Sequence, residues 1–499
     1  MRHRQDSIRG VDLVAQATAY EWVVVTQEKL PVNPGDGKKA ATVSLYASHQ
    51  VVYPRSVKGV FDRWRWFFVF ATQIFFYGLP WLQWGGRQAV LFDLGARRFY
   101  ICGLVLYPQD VIYLSGLLII SALLLFLFTA VAGRQWCGYA CPQTVYTEIY
   151  LWIERKIEGD RSARMRLDAA PMSPAKFARK ASKQVAWIVF GLWTGFTLVG
   201  YFTPIRALAG HVASWSIGPW ETFWIFFYGF ATYGNAGYMR EQVCKYMCPY
   251  ARFQSAMFDR DTLIVTYDAK RGEPRGARST KADHKALGLG QCVNCTLCVQ
   301  VCPTGIDIRN GLQYECISCA ACIDACNEVM DKVGYPRGLI RYSTERALEL
   351  GWNSRQILRH TLRPRVLIYS TILATVTLAL IGSLFLRTPF KVDIVRDRAT
   401  LARIVEGGKI ENVFRLQIMN AKEQAQTYTL SADGLSGLEL IIDGAPDRTV
   451  TIDAAQSVWV PVHLRLPYGV VPPGSHQIYF HIQSPSGELK EKSVFIVPR

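Results

Sequence analysis

Cys292-Val-Asn-Cys295-Thr-Leu-Cys298-Val-Gln-Val-Cys302-Pro303 is followed in the same chain by Cys316-Ile-Ser-Cys319-Ala-Ala-Cys322-Ile-Asp-Ala-Cys326. Both runs have the spacing Cys-x2-Cys-x2-Cys-x3-Cys, that of bacterial two-cluster ferredoxins, in which three close thiolates hold one [4Fe-4S] cluster and the fourth crosses to the other. The reason is geometric. A cubane offers four iron corners, and a tight x2 loop reaches three of them before the chain turns away. One cluster is therefore expected on Cys292, Cys295, Cys298 and Cys326, and a second on Cys302, Cys316, Cys319 and Cys322. Pro303 helps to end the first run by pushing Cys302 to an extended conformation; the second run has Asn327 in that place. Cys-x2-Cys pairs also build zinc ribbons, but two complete runs in tandem, without a histidine, favour iron and sulfide.

The chain has thirteen cysteines, and their concentration in a stretch expected to be cytoplasmic points to metal or redox chemistry rather than disulfides. Four more form two matching elements, Cys137-Gly-Tyr-Ala-Cys141-Pro142 and Cys244-Lys-Tyr-Met-Cys248-Pro249. Positions four apart share a helix face, so each pair is expected to present two sulfurs to one point, with Pro142 and Pro249 interrupting the helix just after it. If the two copies pack together, the four thiols converge. Buried cysteines are often plain packing residues, but two matching pairs with matching prolines favour a function. Cys102 has no partner and reads as packing.

Five apolar stretches, near 64–85, 111–132, 184–204, 219–239 and 366–386, are long enough at about 20 residues to cross a bilayer as helices. Trp64, Trp66, Trp81 and Trp84 bracket the first like an interfacial belt, and Arg363 and Arg365 open the fifth. The fold class expected is therefore a multi-pass α-helical membrane protein. Each Cys-x3-Cys-Pro element follows a pair of spans, so the membrane part reads as two copies of a hairpin. The formal charge of +17 does not point to nucleic acid, because the excess crowds beside the apolar spans. Segment 133–183 holds ten basic residues: Arg134, Arg155, Lys156, Arg161, Arg164, Arg166, Lys176, Arg179, Lys180 and Lys183. That is the composition of cytoplasmic loops. With the N-terminal segment 1–63 cytoplasmic and without a cleavable signal peptide, segment 240–365 falls in the cytoplasm and the C-terminus outside. Arg87, Arg97 and Arg98 fit this scheme poorly.

Beyond Pro389 the pattern changes to short alternating runs, such as Val413-Phe414-Arg415-Leu416-Gln417-Ile418 and Val458-Trp459-Val460-Pro461-Val462. Asp433-Gly434, Asp443-Gly444, Pro472-Pro473-Gly474 and Pro485-Ser486-Gly487 separate them. About seven strands in about 110 residues read as an immunoglobulin-like β-sandwich over 390–499, with balanced charge, as a periplasmic domain can have. It contains no cysteine.

None of the eight histidines, His3, His49, His211, His284, His360, His463, His476 and His481, falls in an expected span, which argues against bis-histidine haem in the membrane. Gly35-Asp36-Gly37-Lys38 lacks the P-loop spacing and no Rossmann fingerprint occurs. An external electron donor, cytoplasmic or in the membrane, is therefore expected.

The Cys-x3-Cys-Pro pairs, the two-cluster ferredoxin insert at about 285–335, the fifth span and the C-terminal sandwich, in that order, together resemble the CcoG family, also called FixG or RdxA, over nearly the whole chain. The resemblance implies an accessory protein for assembly of cbb(3)-type cytochrome c oxidase in the bacterial inner membrane, acting as a cupric reductase. It also implies copper as substrate or transient ligand at Cys137, Cys141, Cys244 and Cys248, and a copper chaperone or an oxidase subunit as partner, with a homodimer left open. The membrane half alone is similar to polyferredoxins of the NapH and NosR type, which implies a quinol-linked conduit as the second reading. A non-catalytic assembly scaffold is the third.

Overall fold

The structure, a computed structural model, describes residues 51–279, 283–397 and 401–498. The segment expected to be cytoplasmic therefore lies outside the described residues up to residue 50, together with His3, His49 and Gly35-Asp36-Gly37-Lys38.

Each of the five apolar stretches falls largely in a helix, but the first, expected to reach 85, leaves its helix at Gly78 and is extended at Gln83–Trp84, and the third, expected to reach 204, ends at Val199. The first is α1 (Val60–Gly78), whose N-terminus carries no capping side chain of its own. Its free amides at Phe61 and Asp62 instead donate to the carboxylate of Asp324, at 3.3 and 2.8 Å. A side chain at Gly59 would block this contact, since a Cβ there would fall 2.2 Å from Asp324 Cγ.

After α1 the chain forms a small antiparallel sheet that the sequence did not announce: β1 (Val90–Asp93), β2 (Arg98–Ile101) and β3 (Leu104–Leu106). Cys102, expected as a packing residue, is exposed at the β2–β3 turn, with φ of 52°. Two of the three arginines that fitted poorly are engaged with the C-terminal domain. Arg87 reaches Glu423 at 2.7 Å, and Arg98 donates to the Ala455 carbonyl at 2.8 Å and to Gln456 Oε1 at 3.0 Å.

Next come α2 (Val111–Ala132), α3 (Gln135–Tyr139), α4 (Pro142–Glu158) and α5 (Pro174–Val199). Helix α6 (Pro219–Thr232) widens at its end into a π turn over Tyr233–Met239. Helices α5 and α6 pack at backbone distance, because Gly195 and Gly191 leave room for the carbonyls of Ile225 and Gly229; a Cβ would lie 2.2 and 2.8 Å from them. Small residues of this kind let helices approach closely.

The basic segment 133–183 does not sit wholly in solvent. Arg164, Lys183 and Arg240 surround Glu154 at 2.5, 3.5 and 3.1 Å, while Lys180 and Lys183 reach Glu158 at 3.1 and 2.9 Å. Burial of these carboxylates demands such partners.

A second π turn, Val243–Met247, leads into α7 (Pro249–Ala256) and then the cysteine-rich module. There β4 (Ile264–Tyr267) pairs antiparallel with β5 (Ile340–Ser343), and α8 (Ala321–Val333) carries the end of the second run. Helix α9 (Pro364–Phe385) follows. By length and composition two helices, 108–132 and 364–385, are apolar enough to cross a membrane. They touch each other where Leu380 packs over Gly116.

Among the described residues the C-terminal sandwich has nine strands, against about seven expected. These are β6 (Phe390–Arg396), β7 (Arg403–Val405), β8 (Lys409–Asn420), β9 (Gln426–Asp433), β10 (Glu439–Ile442), β11 (Thr449–Ile452), β12 (Ser457–Pro467), β13 (Gly474–Ser484) and β14 (Gly487–Val497). One sheet runs β10-β12-β8-β6 with β7 beside β8, and the other β11-β9-β13-β14. Strands β7, β10 and β11 are only three or four residues long, too short to show an alternation in sequence. The core between the sheets includes Phe390, Phe414, Tyr428, Phe480 and Phe495.

Replacing Asp324 by Ala removes a cap supplied from the cysteine-rich module to α1. The expected cost is about 1 kcal/mol, read as a lower midpoint in denaturant unfolding of the full chain, with faster proteolysis in the loop before α1. Wild-type stability would show that the contact carries no load.

Candidate electron-transfer centre

The two cysteine runs repeat each other in backbone as well as spacing. Asn294 and Thr296 flank Cys295, the second cysteine of the first run, with φ of 52° and 56°, and Ser318 and Ala320 flank Cys319, the second of the other run, with 55° and 61°. Left-handed conformation is unfavourable for residues other than glycine by roughly 1–2 kcal/mol each, and such outliers gather at functional sites. Here they curl each loop around a cavity.

One cavity is lined by Cys292, Cys295, Cys298 and Cys326. The adjoining one is lined by Cys302, Cys316, Cys319 and Cys322, with Cys298 in the shared wall. Each set therefore takes three cysteines from one run and one from the other. Otherwise the walls are mainly apolar, with Ile306, Ile308 and Ala321 in the second cavity and Val329, Met330 and Leu339 in the first. Among the described residues, no three Cys, His, Asp or Glu side chains meet as they would around a single metal ion; sulfurs placed around a cavity suit a polynuclear centre with one iron per thiolate. Burial pushes the Cys298 thiol up to about 11 and those of Cys316 and Cys326 up to about 12. Such thiols stay protonated at neutral pH unless a metal displaces the proton. The donor set and its apolar shell thus fit [4Fe-4S] clusters, which would supply single-electron steps.

The Cys-x3-Cys-Pro elements are not single helical turns as expected. Cys137 lies in α3, whereas Cys141 is the residue before α4, extended at φ −60° and ψ 129°. Likewise Cys244 lies in the second π turn, and Cys248 precedes α7 at φ −77° and ψ 111°. The correction has a plain cause. Proline disfavours helical conformation in the residue before it and is well placed at the first helical position, so Pro142 and Pro249 start helices rather than end them. The pairs lie near each other, but no three of their thiols meet as they would around a single ion. Cys137 donates to Gln254 Oε1 of α7 at 3.2 Å. The second repeat is thereby tied to the first.

This group abuts the second cavity. A Cβ on Gly138 would lie 2.6 Å from the Ile317 carbonyl oxygen and 2.7 Å from Cys319 Cα, so the turn between Cys137 and Cys141 rests on the backbone of a cluster cysteine. Arg134 donates to the Tyr314 carbonyl, and its charge acts on both Cys137 and Cys316. Arg65 donates to the Cys319 carbonyl at 2.9 Å, and Tyr342 donates to that of Ser318 at 2.6 Å. Cys244 and Cys319 open on one polar cavity, whose wall also holds Asp62, Glu148 and Arg240. Arg65 was open to detection as an ionisable residue inside an apolar span; Gly138 and Tyr342 gave no signal.

A family model described as a 4Fe-4S dicluster domain matches residues 239–345, and one described as a 4Fe-4S binding domain matches 114–159. An IG-like fold at the C-terminus of FixG, putative oxidoreductase, matches 380–498. Protein RdxB of Cereibacter sphaeroides is 40% identical over 431 residues, spanning 85% of this chain and 90% of RdxB. Nitrogen fixation protein FixG of Rhizobium meliloti is 37% identical over 461 residues, spanning 85% and 88%. The chain belongs to the FixG/RdxA family. In this member of the FixG/RdxA family the dicluster match takes in both cysteine runs together with Cys244 and Cys248, and the shorter match takes in Cys137 and Cys141. It is an iron–sulfur electron-transfer protein.

Purified without oxygen, the chain should hold about eight iron atoms, the content of two [4Fe-4S] clusters. In Cys326→Ser the iron should fall to about half, and the remaining paramagnetic signal after reduction should be the one that Cys316→Ser removes. Loss of the same signal in both variants would contradict the crossed grouping.

Proposed function

We propose that this chain is a membrane-embedded cupric reductase, which passes single electrons from its clusters to Cu(II) and hands on Cu(I) for assembly of a cbb(3)-type cytochrome c oxidase. The observation that carries this reading is the seam at Gly138, where the turn bearing Cys137 and Cys141 lies against Cys319. The four paired thiols are a soft donor set next to an electron source. Soft thiolates prefer Cu(I) to Cu(II), so copper bound there is easier to reduce than copper in water. Each turnover moves one electron onto the ion and needs no proton. The eight cysteines grouped around the two cavities hold the clusters in this reading, and Cys137, Cys141, Cys244 and Cys248 hold the substrate.

The membrane placement is supported by the two helices long and apolar enough to span, α2 and α9, by the apolar stretches within α1, α5 and α6, and by the crowding of basic residues beside them. It puts the sandwich on the far side from the clusters, where a copper chaperone or an oxidase subunit could meet it.

Two tests follow from this reading. Replacing Cys244 and Cys248 together by Ser should lower copper affinity on the order of 10–100-fold, the loss seen even for outer-shell changes, and abolish Cu(II) reduction in stopped-flow mixing, with iron content intact. Reduction at the wild-type rate would return these cysteines to packing. For topology, a reporter active only in the periplasm should work when fused after the sandwich and fail in the loop near Gly288; the reverse would mean a miscounted span.

A further inference from the structure

The two cysteine loops share a backbone and differ in environment. In the second run Ser318 and Ala320, on either side of Cys319, are 3% and 1% exposed, and the loop lies under the Gly138 turn. In the first run the matching Asn294 and Thr296 are exposed, and of the eight cysteines lining the two cavities Cys295 alone is exposed. The first cavity adjoins the second through Cys298, so it has one side toward the second cavity and one toward solvent. The rim of that open side is basic, since segment 268–311 carries seven basic residues against four acidic ones. Arg309 lines the first cavity and donates to Asn294 Oδ1 at 2.7 Å, with Asp307 balancing its charge at 2.6 Å. Arg278 donates to the Cys292 carbonyl at 3.3 Å, and Arg271 to Gln291 Oε1 at 2.6 Å. Neither has a carboxylate partner among the described residues, so two uncompensated charges stand beside the first cysteine of the run. Lys285 is exposed next to His284, which packs on Tyr335 beside Arg278.

We infer that electrons enter at this edge, from an acidic protein that carries a single-electron centre and docks on the basic rim over Cys295. Charge of one sign around a site steers a partner of the other sign to it and raises association by roughly 10- to 1,000-fold. Electron-transfer encounters bury little surface, so a basic rim around one exposed cysteine is interface enough. The cavity behind Cys295 is the cluster's own, which leaves the donor a surface rather than a pocket, and a surface suits a protein. The second run is closed to such a carrier, because its corresponding loop is buried under the turn between Cys137 and Cys141. The path therefore has an open end at Cys295 and a closed end at the seam.

The balance is simple. One electron leaves the reduced centre of the carrier, which is oxidised, and the chain is reduced by one electron at its Cys295 edge. No bond forms or breaks and no proton moves. The oxidised carrier then dissociates and a second reduced one takes its place.

The inference rests on the electron-transfer reading and not on copper, so it is tested without copper. The full chain, in nanodiscs of zwitterionic lipid and without oxygen, is mixed in stopped flow with a photoreduced acidic [2Fe-2S] ferredoxin, whose reoxidation is followed. The rate should fall severalfold between roughly 0.01 and 0.1 M salt, as screening shortens from about 30 to about 10 Å. Arg275→Glu combined with Lys285→Glu should lower it on the order of tenfold or more at unchanged iron content. The methyl viologen radical cation should reduce that variant at least as fast as wild type. Cys326→Ser, expected to keep the second cluster, should take no electrons from ferredoxin although dithionite still bleaches it. Carbodiimide linking of ferredoxin carboxylates should fall on Lys270 or Lys285. A rate indifferent to salt and to the charge reversals, transfer to Cys326→Ser at the wild-type rate, or links confined to other lysines overturns the proposal. A rate governed by anionic lipid in the nanodisc overturns it too, and assigns the basic rim to the bilayer. Failure of Cu(II) to reoxidise the dithionite-reduced chain would instead count against the copper reading alone.

Discussion

The contact on which the cofactor region depends is backbone against backbone. Gly138 lies so near Ile317 and Cys319 that no side chain fits between them, and close packing of this kind admits no compromise short of moving one chain. Around it stand the groups that fix its register. Arg65 and Arg134 are nearly fully buried, at 7% and 2% exposed, and each donates to a backbone carbonyl of the second cysteine run or the loop before it. Buried cations need such acceptors, so the arginines position the seam as much as the seam buries them.

A second constraint holds the helices on the other side of the site. Glu154 gathers cations from the segment after α4, from α5 and from the bend before the second π turn. Buried ion pairs contribute little net stability against an apolar replacement, yet removing one partner is costly because the other charge is stranded. The role of this cluster is therefore geometric: it sets where the end of α4 lies relative to α5 and Arg240.

Local chemistry was legible in the sequence and tertiary chemistry was not. The grouping of eight cysteines into two crossed sets follows from spacing within forty residues of chain, and the cavities are lined by those sets. The existence of the five apolar helices was legible for the same reason, since apolar runs report themselves, but not all their ends: the first stops at Gly78 rather than 85, and the third begins at Pro174 rather than 184. The Cys-x3-Cys-Pro elements were found but misread, because proline's preference for starting a helix outweighed the face argument. The β1–β3 sheet escaped because its strands are short and because Arg98 within it and Arg87 just before it looked like misplaced loop charge, while their partners lie more than 300 residues away at Ala455 and Glu423. Nothing local marks Gly138 as a contact point.

The two repeats have diverged in a way that gives them different tasks. The first has Gly138 after its leading cysteine and a helical turn that rests on the cluster side. The second has Lys245 in that place and a π turn instead, a widening often found at functional sites; Lys245 could not enter the seam, and Cys244 opens on the polar cavity. The turn of one cysteine pair thus lies against the backbone of the second cysteine run, and Cys244 of the other opens on the polar cavity. An internal duplication whose copies stayed equivalent would have had either two docking turns or two open ones; with glycine in one and lysine in the other, one pair sits at the seam while Cys244 of the other opens on the cavity.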